Sequence, residues 1–495
     1  MNYIGISCGF HDAAVSAIDE KGKILFAGHS ERYSKDKHDK HLCTDLIKDA
    51  LKYVPGKYQV HYYEKPFLKA IRQLRAGQSP GPFSVENNIG STPLKLLKNK
   101  VGKVQTHPHH LAHAAAGFQT SPFRKATVVV IDAIGELDTI SIWDATYDQQ
   151  GKAHYKKLWG KKYPDSIGLM YSAMTKRVGL KPLDEEYILM GMAAYGNDLY
   201  SDMLEEELLH DPDNLNFKLN LHTGVHDDFL SADANYMDIA TSTQAFTEKL
   251  IKTVMQKAKD LGSSKHLVYS GGVALNCLAN RLLGLYFDDV WIMPNPGDAG
   301  NSLGAAALGY GNRLIWEDAF LGYKIHGEYP VEPVIQELHE NKIAGVANGR
   351  AEFGPRALGN RSLLADPRGP EIKDKVNEIK RRQKFRPFAP VILEEYVNDY
   401  FDMPHHWKNS RYMQVIAHCK HPEKFPAITH ADGSSRVQTV PKDDTGIRRL
   451  LEQWHRETGC PMLLNTSLNI RGEPMVNNVE DAERFEKLYG IKVFS

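Results

Sequence analysis

The sequence predicts an α/β protein of two domains, and three observations carry that reading. First, short β-branched runs end in loops that present an acid or a glycine pair and then lead into small-residue helices, as in open α/β folds. Ala126-Thr-Val-Val-Val-Ile-Asp132 and His266-Leu-Val-Tyr-Ser-Gly-Gly-Val-Ala-Leu-Asn276 are two cases; Val290-Trp-Ile-Met293, followed by Asn301-Ser-Leu-Gly-Ala-Ala-Ala-Leu308, is a third. Second, 495 residues are enough for more than one core. Third, the composition changes over Gly322–Pro333, which marks a linker and divides the chain into 1–325 and 326–495.

In chain order, Tyr3–Ser7, Ala13–Ile18 and Lys23–Ser30 read as strands of a meander, with Gly9-Phe-His-Asp12 and Glu20-Lys-Gly22 as the turns. His11 lies in the first turn, as a reactive imidazole or as a turn histidine bonded to its own loop. A meander of this kind is similar to the opening of the actin and sugar-kinase superfamily, whose first turn meets nucleotide phosphates. Cys43–Val54 is patterned as a helix, and Gly56–Pro93 is irregular. In His107-Pro-His-His-Leu-Ala-His113, proline suits a first helical turn, so His109 and His113 fall at i and i+4 on one face. That spacing fits half a metal site or a packed helix face. Asp132, at the end of a buried strand, is desolvated and calls for a cation or donors, or serves as a strand-end cap. Helices follow at Asp165–Tyr171 and Glu185–Gly196, then a polar insertion at 198–240 and a long amphipathic helix over Thr241–Leu261. The Gly271-Gly272 turn before Asn276 offers backbone N–H groups to an anion or a nucleotide. Asp298 sits on a strand-to-helix loop, available to complete a site with His109 and His113.

Beyond the linker, Gly349–Arg368 and Lys380–Pro390 interleave Arg and Lys with Gly, Pro and Phe. Guanidinium forks suit phosphate and carboxylate; the same pattern also describes a channel for single-stranded RNA. Thr429–Gln438 and Leu463–Pro474 add hydroxyl, amide and guanidinium groups in turn-rich loops. The 61 basic and 61 acidic residues cancel, so no net field draws the chain to nucleic acid or anionic lipid, and small molecules are the expected partners. No apolar run reaches membrane-spanning length and the first residues lack a signal peptide's pattern, which makes the cytoplasm the expected location. The five cysteines are scattered, and their spacing predicts neither disulfides nor a zinc ribbon.

The chain resembles the carbamoyltransferases of the nodulation-protein and tobramycin-carbamoylating type. The resemblance runs from Gly9-Phe-His-Asp12 through His109-His-Leu-Ala-His113, Ser270-Gly-Gly-Val-Ala-Leu-Asn276, Glu352-Phe-Gly-Pro-Arg-Ala-Leu-Gly-Asn-Arg361 and Phe385-Arg-Pro-Phe-Ala-Pro390 to Asn465-Thr-Ser-Leu-Asn-Ile-Arg-Gly-Glu-Pro474. It implies an N-terminal actin-like domain similar to the tRNA threonylcarbamoyl transferase and a C-terminal domain similar to the YrdC fold. It also implies an O-carbamoyltransferase that makes carbamoyladenylate from carbamoyl phosphate and ATP, with Mg2+, and passes the carbamoyl group to a hydroxyl of a small molecule. A sugar, an antibiotic, a toxin, and a modified nucleotide or DNA base are all eligible acceptors. By the same resemblance His109, His113 and Asp298 hold a divalent metal, expected to be iron(II), with Asp132 beside it, and His11 takes the acceptor's proton. Gly271, Gly272 and Asn276 receive the adenylate. Arg356, Arg361, Lys380, Arg382, Arg386, Arg436, Thr466, Ser467 and Asn469 bind the carbamoyl and nucleotide phosphates. The chain departs from the family pattern at Ile188, Ala194 and Gln383. A threonylcarbamoyl-type tRNA enzyme and a nonenzymatic nucleotide-binding regulator share these folds and stand as alternatives.

Overall fold

Strand β1 (Asn2–Ser7) pairs antiparallel with β2 (Ala14–Ile18), and the chain continues into β3 (Ile24–His29). This meander follows the expected pattern within a residue at each end. The computed structural model describes residues 1–75 and 104–495. They divide into two compact units, 1–26 with 40–316 and 27–39 with 317–495.

In unit 1, β4 (Tyr58–Tyr62) runs parallel to β1, and β5 (Gln105–Thr106) runs parallel to β4, giving the order β3-β2-β1-β4-β5. The stretch from Gly56 thus holds a strand and, at Pro66–Arg75, a helix. Tyr58, Val60 and Tyr62 alternate as strand residues do, and parallel pairing with β1 completes the order; residues 76–93 of the stretch lie outside the described residues. A second sheet runs β12-β11-β6-β7-β8. Its strands are β6 (Lys125–Ile131), β7 (Asp138–Tyr147), β8 (Ala153–Lys162), β11 (His266–Ser270) and β12 (Asp289–Trp291). β6 is buried throughout after its first residue, as a central strand covered on both faces must be. The 198–240 insertion carries a helix, Ser201–Leu208, and the hairpin β9 (Leu209–Asp211)–β10 (Asn216–Phe217). The long helix begins at Tyr236, before the expected Thr241, because the Asn235 side chain caps it by accepting from the Met237 N–H. The helix His109–Thr120 packs against the helix Asn301–Tyr310, and glycine is required at the crossing: a Cβ on Gly304 would lie 2.0 Å from the Ala112 carbonyl oxygen.

Unit 2 is built on a mixed sheet of order β21-β17-β22-β16-β14-β23. Its strands are β14 (Ile343–Ala347), β16 (Arg361–Ala365), β17 (Ala389–Leu393), β21 (Gln438–Val440), β22 (Met462–Ser467) and β23 (Val493–Phe494). Beside it lie a pair, β13 (Phe320–Ile325) with β15 (Gly349–Glu352), and a three-stranded sheet of β18 (Phe401–Asp402), β19 (Ile416–Cys419) and β20 (Ser434–Arg436). Part of the expected linker is therefore structured: β13 occupies its first residues, and Pro333 lies in the first turn of the helix Val331–Asn341, where a missing N–H costs nothing. Among the described residues no helix is long and apolar enough to cross a membrane.

At the end of β4, His61 and His107 stack with ring centroids 5.2 Å apart and share a hydrogen bond of 2.9 Å between Nδ1 and Nε2. Burial, reinforced at His61 by its partner and at His107 by Lys65, lowers both to about 4. A histidine buried neutral binds fewer protons folded than unfolded, so its contribution is complete above the unfolded value near 6.5 and is lost as pH falls towards 4. Unfolding in denaturant should show stability dropping across that window, by about 3 kcal/mol for His61 alone. His107→Gln should flatten the dependence by at least half.

Candidate functional site

Four side chains of unit 1 converge. The His109–Thr120 helix supplies His109 and His113, the end of β6 supplies Asp132, and the short turn ahead of the Asn301–Tyr310 helix supplies Asp298. One donor atom from each lies within 4.8 Å of the other three. The His109 and His113 Nε2 atoms are 3.1 Å apart. His109 Nε2 is 3.2 Å from Asp132 Oδ2 and 3.3 Å from Asp298 Oδ1; His113 Nε2 is 3.7 and 3.4 Å from the same two oxygens. Donors about 2.0–2.2 Å from a common ion stand about 3–3.6 Å from one another, so these spacings suit one metal centre. Asp298 Oδ1 is buried and, among the described residues, has no hydrogen-bond partner, a second sign that the cluster fits a cation. Two imidazoles and two carboxylates form a borderline-hard set suited to iron(II), manganese(II) or zinc(II).

The facing charges of the cluster favour a proton on His109. Burial works against the charged forms, but the facing groups outweigh it: Asp298 and Asp132 raise His109 well above the ordinary imidazole range, and both carboxyls are held low by the histidines. Cation binding must displace that proton, so affinity rises with pH. The turn after β1 brings in His11. Its Nδ1 is 2.9 Å from Asp12 Oδ2 and its Nε2 is 3.9 Å from Asp298 Oδ2. Burial lowers its pKa, but Asp12, Asp298 and Asp132 together raise it to about 9. Asp12, the immediate neighbour in the turn, was not singled out as a partner, although adjacency to His11 was a readable signal.

The Gly271-Gly272 turn lies against this cluster. Gly271 adopts φ +93°, and a Cβ there would be 2.1 Å from the Ile131 carbonyl oxygen, while the Gly272 N–H donates to Asp132 Oδ1 at 3.2 Å. Asn276 follows the turn at the start of a short helix. Its carboxamide exchanges two hydrogen bonds with Gln244, at 3.0 and 3.1 Å, and its Oδ1 caps Ala279 N–H at 3.0 Å, so the side chain is spent on the fold. Ile188 is 1% exposed, an apolar core position where a lysine would be buried.

In unit 2 the expected anion-binding residues separate into groups. Lys380, buried at the end of its helix, donates to the Ser467 carbonyl, to Ser467 Oγ at 3.1 Å and to Asn469 Oδ1 at 2.8 Å. Among the described residues no carboxylate lies within ion-pair distance of it. Burial, then the nearby charges of Arg382 and Arg386, push its pKa well below the usual lysine range. Arg382 is fixed by Asn377 Oδ1 at 2.6 Å and by the Pro387 carbonyl, and stacks 3.9 Å above the Phe388 ring. Thr466 precedes Ser467 on β22 and pairs with Leu363. Arg356 and Arg436 are half-buried, the first on the loop after β15 and the second at the end of β20. Arg361 is set apart: fully buried, it donates to the carbonyls of Tyr323, Asn348, Gly349, Asn360 and Asn477 and has no free donor for a ligand. Carbonyls from three distant segments thus meet at its guanidinium.

Comparison with known proteins shows the family. The family profile described as Carbamoyltransferase N-terminus matches residues 61–307, and Carbamoyltransferase C-terminus matches residues 335–494. An uncharacterized protein of Synechocystis sp. is 32% identical, with 97% of this chain and 93% of that protein covered. Nodulation protein NolNO of Sinorhizobium fredii is 29% identical over 95% of this chain and 76% of its own. A 3′-hydroxymethylcephem-O-carbamoyltransferase of Amycolatopsis lactamdurans is 27% identical over 97% and 95%.

Proposed function

Since this chain belongs to the carbamoyltransferase family, and is a transferase, we propose that it makes carbamoyladenylate in unit 2 and delivers the carbamoyl group to an acceptor hydroxyl in unit 1. The observation that carries the reading is the convergence of His109, His113, Asp132 and Asp298 on one point, with His11 beside them. In the first step water releases phosphate from carbamoyl phosphate to leave carbamate, and a carbamate oxygen attacks the α-phosphorus of ATP, held with Mg2+, so that the carbamoyl–phosphate bond forms as pyrophosphate leaves. This step brings anions together, and the Lys380, Arg382 and Arg386 charges, unopposed by a carboxylate at Lys380, offset their repulsion. YrdC-like and actin-like architectures are the expected scaffolds for the two steps.

In the second step the acceptor hydroxyl attacks the carbamoyl carbon and AMP leaves. A bound divalent metal, iron(II) by the family resemblance, would supply Lewis acidity at the four-donor site. His11 takes the hydroxyl proton at Nε2 while Nδ1–H donates to Asp12. Neutralising the Asp132 and Asp298 carboxylates removes part of what raises His11, which brings its base form towards neutral pH. The Gly271 turn and the Gly272 N–H, which donates to Asp132 Oδ1, are the backbone groups that would receive the adenylate. The cephem relative's name specifies a hydroxymethyl acceptor, and a primary hydroxyl on a small molecule is the corresponding substrate class here. Labelled carbamoyl phosphate, ATP and a panel of sugars, antibiotics and hydroxymethylated nucleotides should yield a labelled product with at least one acceptor. His11→Asn should lower transfer at least about 100-fold while pyrophosphate release continues. Equal loss of both activities would remove His11 from the transfer step.

A further inference from the structure

A metal-ligating histidine is usually aimed by a hydrogen bond from its second ring nitrogen. His109 lacks that device: its Nδ1 is buried and, among the described residues, has no hydrogen-bond partner. Its place is fixed through the backbone instead. The helix starts behind Pro108, which has no capping side chain, and the cap comes from another loop. Glu136, 6% exposed and four residues after Asp132, accepts the His109 N–H with both oxygens at 3.0 Å and the Lys65 N–H at 2.7 Å. A buried carboxylate at a helix N-terminus is favoured by the orphan N–H groups and by the helix dipole. The same loop is held from its other side, where Arg72 donates to the Gly135 carbonyl at 2.7 Å. One rigid loop therefore carries Asp132 directly and sets the start of the helix that carries His109 and His113.

The geometry points to Glu136 as a positioning residue that sets the spacing between the histidine pair and Asp132, and so tunes cation affinity without touching the cation. The inference rests on the metal reading of the four-donor cluster. Lys65 and Arg72 act on the same loop, but Glu136 is the group that joins it to the histidine helix.

Cobalt(II) tests the assignment, because its d–d absorption reports ligand geometry as well as binding. Wild-type protein, Glu136→Gln and Glu136→Ala should be titrated with cobalt(II), and amide exchange at residues 109–111 followed in the cation-free proteins. Glu136→Ala should bind about 10–100-fold more weakly, the range typical of outer-shell losses, with shifted bands and faster exchange at residue 109. Glu136→Gln keeps one carbonyl acceptor and should recover part of the affinity; it carries the test if the alanine variant fails to fold. Wild-type affinity and bands in the variants would overturn the positioning role, even if exchange quickened. Wild-type protein that bound no cobalt(II) would overturn the metal reading beneath it, a result distinct from the first.

Discussion

His113→Ala should lose cation binding by at least about 100-fold and carbamoyl transfer by at least as much, because a ligand itself is removed and outer-shell losses alone reach that size. The histidine is 1% exposed, so the vacated space is sealed from solvent donors that could complete the set. Its Nε2 faces His109, Asp132 and Asp298 together, and without it two carboxylates face a single imidazole. Plasma emission after metal loading reads the occupancy, and circular dichroism checks that the buried helix survives the lost volume. Full occupancy in the variant would remove His113 from the site.

Lys380→Met should reduce carbamoyl-phosphate-dependent pyrophosphate release at least about 100-fold. Methionine keeps most of the stem's volume and removes the ammonium group, both its charge and its three hydrogen-bond donations. Each charge-assisted bond is worth about 1.5–3 kcal/mol, and about 1.4 kcal/mol is tenfold. The Ser467 and Asn469 acceptors that lose their donor add to the cost. Because burial and two arginines depress the Lys380 pKa, an anion bound there should raise it, and binding near that pKa should take up a proton, which calorimetry in buffers of different ionisation enthalpy measures. Transfer from supplied carbamoyladenylate should continue in the variant.

The sequence showed the parts of this site that depend on residue type and local spacing. Two histidines one helical turn apart, an acid closing a β-branched run and an acid before a small-residue helix were each visible, and tertiary packing brings the three together. Partners contributed from a distance were not visible. Asn276 follows a glycine pair, as an adenylate ligand would, yet Gln244, 32 residues upstream, takes its carboxamide. Arg361 looked like a phosphate fork, but carbonyls from residue 323 to residue 477 close around it. In the fold, β4 was readable from its alternating Tyr58, Val60 and Tyr62, whereas Gly322 and Lys324 interrupt β13; pairing with β1 and β15 completes them. The N-terminal meander and β6 were legible because their burial pattern coincides with their β-branched composition.

The division of labour is tested most directly by pyrophosphate release in the absence of any acceptor, measured in wild-type protein, Lys380→Met and His113→Ala. The wild type should release pyrophosphate from ATP only when carbamoyl phosphate is present, His113→Ala should retain most of that release, and Lys380→Met should lose it. Release that is independent of carbamoyl phosphate, or that both substitutions abolish equally, would contradict the account.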